Sequence, residues 1–156
     1  MTKRKGVLFV CLGNICRSPI AEAVFGNLIK ERQLGDEWFC DSAGTGGWHV
    51  GHQPDRRAQK VLKKNNIEFN HRARQLCEED FQRFDYIFGM DNSNISDIKE
   101  MEPKNSKAKI ELLGKYDPQG QSIIEDPYYG GENGFEMNFQ QCLRSCNAFL
   151  DQVDKN

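Results

Sequence analysis

The apolar run Val7 to Val10 passes through a short linker into a Ser18-Pro19 pair, and that junction constrains the chain more than any other feature. A short, uninterrupted apolar run reads as a strand buried on both faces. Serine is a favoured N-cap, and proline suits the first helical position. A helix is therefore predicted with Ser18 as its N-cap and Pro19 as its first residue. Apolar residues at 20, 21, 24, 25, 28 and 29 give that helix one face, and Gly35 closes the segment. The alternation then repeats. Trp38 to Ala43, Asp85 to Gly89 and Ile110 to Leu113 read as strands. Helices are expected from about Asp55 to Asn65, from Ser93 to Met101, and along a final stripe of Phe135, Phe139, Cys142, Cys146, Phe149 and Val153. The stretch YDPQGQSIIEDPYYGGENG has no clear period and reads mostly as loop. Strands alternating with helices argue an α/β domain with a parallel sheet and right-handed crossovers. Such sheets bind ligands at the carboxyl ends of their strands, where Cys11 stands.

Length and charge narrow the function. The 156 residues suit a single domain spanning 1–156. With a net charge of −2 and no long basic run, the chain carries no nucleic-acid footprint. It also lacks an apolar stretch of the roughly 20 residues that a membrane helix needs. A cytoplasmic monomer without nucleic-acid or membrane partners is expected. Six cysteines, at 11, 16, 40, 77, 142 and 146, come without a secretory signal, so free thiols are expected. Cys142 and Cys146 lie one helical turn apart and read as core, as does Cys40. No ligand pair has zinc-like spacing, and no cofactor or metal is implied.

The linker CLGNICRS carries the chemistry. A loop between a strand and a helix gathers backbone N–H groups, and the helix N-terminus adds partial positive charge, so the loop suits an anion. The G-K-[ST] ending of a nucleotide P-loop is missing. Instead a thiol, Cys11, stands at one end and a guanidinium, Arg17, at the other. Arginine holds phosphate bidentately with a permanent charge, and such surroundings favour a thiolate. Cys11 would then face a bound phosphate as a nucleophile. Gly13 and Asn14 tolerate the left-handed backbone that a nest requires, and the Ser18 hydroxyl can donate to sulfur. Cleaving a phosphomonoester also needs an acid for the leaving oxygen. Two Asp-Pro pairs offer one, Asp117-Pro118 and Asp126-Pro127, and the residues alone do not choose between them.

CLGNICRSP near the start and DPYYGG near the end resemble the low-molecular-weight protein tyrosine phosphatase family. DSAGTGGWHVGHQPDRRA, HRARQ, YIFGMD and LLGKYDPQ fall where that family has related segments. The resemblance implies a four-stranded parallel sheet flanked by helices on both faces, and no metal. It implies Cys11 as nucleophile, Arg17 as phosphate clamp and Asp126 as general acid and base. The backbone of Leu12, Gly13, Asn14, Ile15, Cys16, Arg17 and Ser18 would cradle phosphate or another oxyanion. Asn14, Ser18 and His71 would form a supporting hydrogen-bond network, and Trp48, Tyr128 and Tyr129 an aromatic slot. Phosphotyrosine proteins are the implied substrates, with phosphocysteine as the intermediate. Cys16 is expected to capture an oxidised Cys11 as a reversible disulfide.

Three rival readings differ in specific residues. Arsenate reductases share the fold and the thiolate loop but relay electrons through further cysteines, for which Cys77 stands alone. Relatives acting on phosphoarginine tend to carry Thr where this loop has Ile15. A phosphoprotein-binding module would need neither a thiolate nor an acid.

Overall fold

Val7, Leu8, Phe9 and Val10 are completely buried, as a strand with structure on both faces must be. They form the middle of β1 (Lys5–Cys11) in a computed structural model that describes residues 3–127 and 131–153, the side chains of 131 and 132 excepted. In chain order follow α1 (Arg17–Glu31), β2 (Trp38–Gly44), α2 (Arg56–Lys64), α3 (Asp80–Arg83), β3 (Tyr86–Gly89), α4 (Asn92–Met101), β4 (Lys109–Leu112) and α5 (Gly131–Val153). A one-turn 3₁₀ helix, Leu113–Tyr116, follows β4. The strands make one four-stranded sheet in the order β2-β1-β3-β4, and every pairing is parallel.

Alternate residues of β1 serve opposite faces. Val7 and Phe9 pack with Val24 and Phe25 of α1 and Phe149 of α5. Leu8 and Val10 pack with Phe81 of α3, Phe84 and Ile98 of α4. Helices therefore cover both faces of one α/β domain. The chain moves from β1 outward to β2 and then crosses back to β3 on the other side of β1. That reversal opens a crevice at the carboxyl end of β1, where such sheets bind ligands. Among the described residues no helix is long and apolar enough to cross a membrane.

Most expected elements stand within a residue or two of their places. Asp55 caps α2 by accepting from the Arg57 backbone N–H, and Asp91 caps α4 in the same way through Asn94. The start of α1 differs. Its N-cap is Cys16, without a side-chain cap bond, so Ser18 and Pro19 are the second and third helical residues. The Ser18 hydroxyl bonds Cys11 and Asn14 instead. Proline costs nothing at that depth, because a first-turn N–H has no intrahelical acceptor. The GGENG stretch is also helical from Gly131 onward. Its glycines hide the apolar period. Two single-turn elements, α3 and the 3₁₀ turn, are too short to show a period. Cys142 and Cys146 are fully buried core, and Cys40 is half-buried.

Candidate active site

β1 delivers Cys11 to the crevice, and the chain then turns sharply before α1. Asn14 makes the turn at φ 57°, in the left-handed region where asparagine is among the few tolerated residues. Gly13 does not share that conformation. Its lack of a Cβ serves a close approach instead, since a Cβ there would stand 3.0 Å from the His49 ring. The loop is tied down from outside. Thr45 N–H donates to the Cys11 carbonyl at 3.0 Å, Gly46 N–H to Leu12 at 2.9 Å and Asp55 N–H to Ile15 at 2.7 Å. Gly44 allows this contact, for a Cβ there would meet the Leu12 carbonyl oxygen at 2.8 Å.

The Cys11 sulfur lies 3.0 Å from Ser18 Oγ and accepts from the Asn14 backbone N–H at 3.3 Å. Asn14 Nδ2 donates to Ser18 Oγ at 2.9 Å and to Ser42 Oγ at 3.0 Å. With Nδ2 donating to it, Ser18 Oγ keeps its proton available to donate to a Cys11 thiolate. Asn14 Oδ1 accepts from His71 Nε2 at 2.9 Å and from the Arg74 backbone N–H at 3.0 Å. The segment between α2 and α3 brings His71 here by bridging the end of β2, with Gly44 N–H donating to the Arg74 carbonyl and Leu76 N–H to the Gly44 carbonyl, each at 2.8 Å. Asn14 thus links Ser18 to His71 through hydrogen bonds. Ser42 and Glu22 extend it, the Ser42 hydroxyl meeting Glu22 Oε1 at 2.6 Å. Burial pushes the Glu22 carboxyl up to about 7 and holds the His71 imidazole below its ordinary range.

Arg17 is buried at the foot of the loop. Its Nη1 donates to Asp91 Oδ2 at 2.7 Å and to the Ile124 carbonyl at 2.9 Å. Among the described residues its Nε and Nη2 have no hydrogen-bond partner, and Arg17 lines the same cavity as Cys11. That cavity has a volume of about 280 Å³. Leu12, Gly13, Ile15, Cys16, Trp48 and His49 line it as well, and so does Asp126, from far along the chain. Trp48 is 71% exposed at the rim. The Asp126 segment is positioned by the Ile124 N–H donating to Met90 at 2.9 Å and by Asn138 of α5 donating to the Glu125 carbonyl at 3.2 Å. Burial, then repulsion from neighbouring acidic groups, Asp55 first among them, pushes the Cys16 thiol up to about 12.

Asp117 is elsewhere. It accepts two hydrogen bonds at 3.0 Å from Arg144 of α5 and one from the Gln119 N–H at 2.9 Å. Of the two Asp-Pro pairs, only Asp126 lines the cavity with Cys11. Tyr128 and Tyr129 lie outside the described residues. Sequence reasoning missed His49, Asp91, Ser42 and Glu22. Asp91 carries a legible N-cap signal, but its second carboxylate oxygen meets Arg17 only in the folded chain.

The family model described as low molecular weight phosphotyrosine protein phosphatase matches residues 6–156. The low molecular weight phosphotyrosine protein phosphatase of Rattus norvegicus is 58% identical over 151 residues, covering 96% of each chain. A protein tyrosine phosphatase from Entamoeba histolytica, solved with Hepes in its active site, is similar with a TM-score of 0.92 and 38% identity over 97% of both chains. A Drosophila arginine phosphatase is similar with a TM-score of 0.91 and 43% identity, covering 96% of this chain and 98% of that one.

Proposed function

The chain belongs to the low molecular weight phosphotyrosine protein phosphatase family of cysteine-dependent phosphomonoester hydrolases, and we propose that Cys11 is its nucleophile, Arg17 its phosphate clamp and Asp126 its general acid and base. The observation that carries this reading is convergence. Residues from the end of β1, the start of α1 and the segment before α5 line one cavity.

The reaction follows from the chemistry of those groups. Phosphate sits in the backbone N–H groups of residues 12–18, with Arg17 supplying the fixed charge. The Cys11 sulfur attacks phosphorus, and the substrate oxygen departs with the proton of Asp126. Asp126, now a carboxylate, takes a proton from water, which attacks the phosphocysteine and releases phosphate. Ser18 donates to the departing sulfur and stabilises it as the thiolate. Residues 1–156 act as one phosphatase domain. Its substrates are phosphotyrosine proteins, because Trp48, with Tyr128 and Tyr129, favours a flat aromatic leaving group.

Hydrolysis of phosphotyrosine, phosphoserine and phosphoarginine peptides by wild type, Cys11→Ser and Asp126→Ala tests the reading. Cys11→Ser should lose turnover yet still bind phosphate. Asp126→Ala should slow phosphotyrosine by about 10²–10⁴-fold, and an activated nitrophenyl ester far less. Turnover by Cys11→Ser would overturn the nucleophile, and equal slowing of both esters would overturn the acid. Preference for phosphoarginine would overturn the substrate class.

A further inference from the structure

Glu22 of α1, Asp41 of β2 and His71 of the α2–α3 segment bring their ligating atoms within 4.8 Å of one another. Hydrogen bonds determine which atoms face the centre of this cluster. Asn14 Oδ1 accepts from the Arg74 backbone N–H, so an oxygen faces His71, and His71 Nε2 must carry a proton. In a neutral ring Nδ1 is then a lone pair. It lies 3.3 Å from Glu22 Oε1, which is itself an acceptor. The nearby Ser42 hydroxyl already meets that oxygen, at 2.6 Å. Two acceptors thus face each other where the His71 side chain is only 8% exposed and Glu22 only 15%. Such an arrangement is stable only around a cation, which is either a proton or a metal ion.

Charge and geometry bear on which. Arg74 is the guanidinium at the cluster, and it bonds Asp41 at 3.0 Å and both oxygens of Asp80. Asp41 and Asp80 share that one guanidinium, and Asp41 Oδ1 also accepts from the Ser42 backbone N–H at 2.8 Å. Bonds of about 2.0–2.2 Å place neighbouring tetrahedral ligands roughly 3.4 Å apart, and the His71–Glu22 pair already has that spacing. One imidazole with two carboxylates is a borderline donor set, suited to zinc and its neighbours. The opposite ring nitrogen is oriented by the Asn14 carbonyl, as the far side of a metal-bound histidine ordinarily is. A cavity of about 470 Å³ lies beside the cluster, lined by Glu22 but not by Asp41 or His71, with Lys30, Cys40, Glu68 and Phe69 among its walls.

We propose that Glu22, Asp41 and His71 Nδ1 bind one divalent cation of the zinc class, and that its occupancy is coupled to the phosphate loop through the His71–Asn14 hydrogen bond. Binding releases to solvent the proton held between Glu22 and His71. The cation touches no reacting atom, and the proposal does not depend on the roles assigned to Cys11 or Asp126.

The test uses the full chain with Cys11→Ser and Cys16→Ser, which removes the loop thiols as competing ligands. Zn²⁺ and Co²⁺ are titrated into it. One equivalent should bind, and the Co²⁺ spectrum should show nitrogen and oxygen ligation without sulfur-to-cobalt charge transfer. Glu22→Gln and Asp41→Asn should each weaken binding at least tenfold in variants whose NMR fingerprint remains folded. In the protein with both carboxylates intact, Zn²⁺ should shift the His71 Nδ1 resonance while Nε2 keeps its proton, and the amides of residues 12–16 should follow the same curve. Absence of the Nδ1 shift overturns the site, as does binding with charge transfer or binding indifferent to both substitutions. Loop amides that stay still overturn the coupling.

Discussion

Asn14 stands at φ 57°, and its carboxamide directs both protons and both lone pairs at protein partners, namely Ser18, Ser42, His71 and the Arg74 backbone. No other side chain of that size offers two donors and two acceptors while tolerating the left-handed region. Asn14→Ala forces an alanine into that conformation and strands buried partners, at a combined cost of about 2–5 kcal/mol. Asn14→Gly should recover the backbone part of the loss in denaturant melts but not the activity, because Ser18 loses the donor that keeps its proton available to Cys11. Cys16 poses a different residue-scale question. It is buried, with its thiol pushed up to about 12, so it stays protonated and does not compete with Cys11. Its proposed role is to capture a sulfenic acid on Cys11. After a peroxide pulse and thiol reductant, wild type should regain activity and Cys16→Ser should regain little. Equal recovery, with no Cys11–Cys16 peptide by mass spectrometry, would leave Cys16 as packing.

At the scale of elements, the Asp117–Arg144 pair pins the turn after β4 to α5. The Asp117 side chain has no exposed surface, and hydrogen bonds from Arg144 hold its carboxyl below the ordinary Asp range against the opposing effect of burial. An acid held low in the folded state contributes stability above its unfolded pKa and loses that contribution as pH falls through the folded value. Asp117→Asn should therefore destabilise the protein by about 1.5–3 kcal/mol near neutrality. The gap from wild type should close only in strong acid. Urea melts across pH would show this, and a gap that widened on acidification would contradict it. Because α5 also holds the segment before Asp126, through Asn138, the same substitution measures whether pinning the helix is felt at the cavity. No selective loss on poor leaving groups is expected, in contrast to Asp126→Ala.

Across the whole molecule, Phe149 joins the last helix to everything that came before. Its ring meets those of Phe25, Trp38, Tyr86, Phe88 and Tyr116, all with centroids between 4.9 and 6.2 Å. α1, three strand residues and the 3₁₀ turn thus converge on one side chain. Phe149→Ala should cost about 3–5 kcal/mol, out of a total near 5–15 kcal/mol for such a domain. At roughly 2–4 °C per kcal/mol, the melting temperature should fall by about 6–20 °C. Activity per folded molecule at low temperature should change little, since Phe149 packs on the α1–α5 face of the sheet and does not line the cavity.

The sequence by itself determined whatever repeats or sits close along the chain. The buried run of β1 and the stripe of α5 are legible because burial imposes a period. The thiol and guanidinium of CLGNICR are legible because one loop carries both. The resemblance added Asp126 and His71 at their sequence positions. Only the tertiary structure decided how distant groups are used. It spent the Ser18 hydroxyl on Cys11 rather than on a cap, gave the second oxygen of Asp91 to Arg17, and placed His49 against Gly13. It also gathered Glu22, Asp41 and His71, whose positions along the chain show no ligand spacing at all. The physical reason is common to these cases. A hydrogen bond or an ion pair is set by distances of a few ångströms in space, and a parallel sheet brings such groups together only by crossovers that separate them widely in sequence.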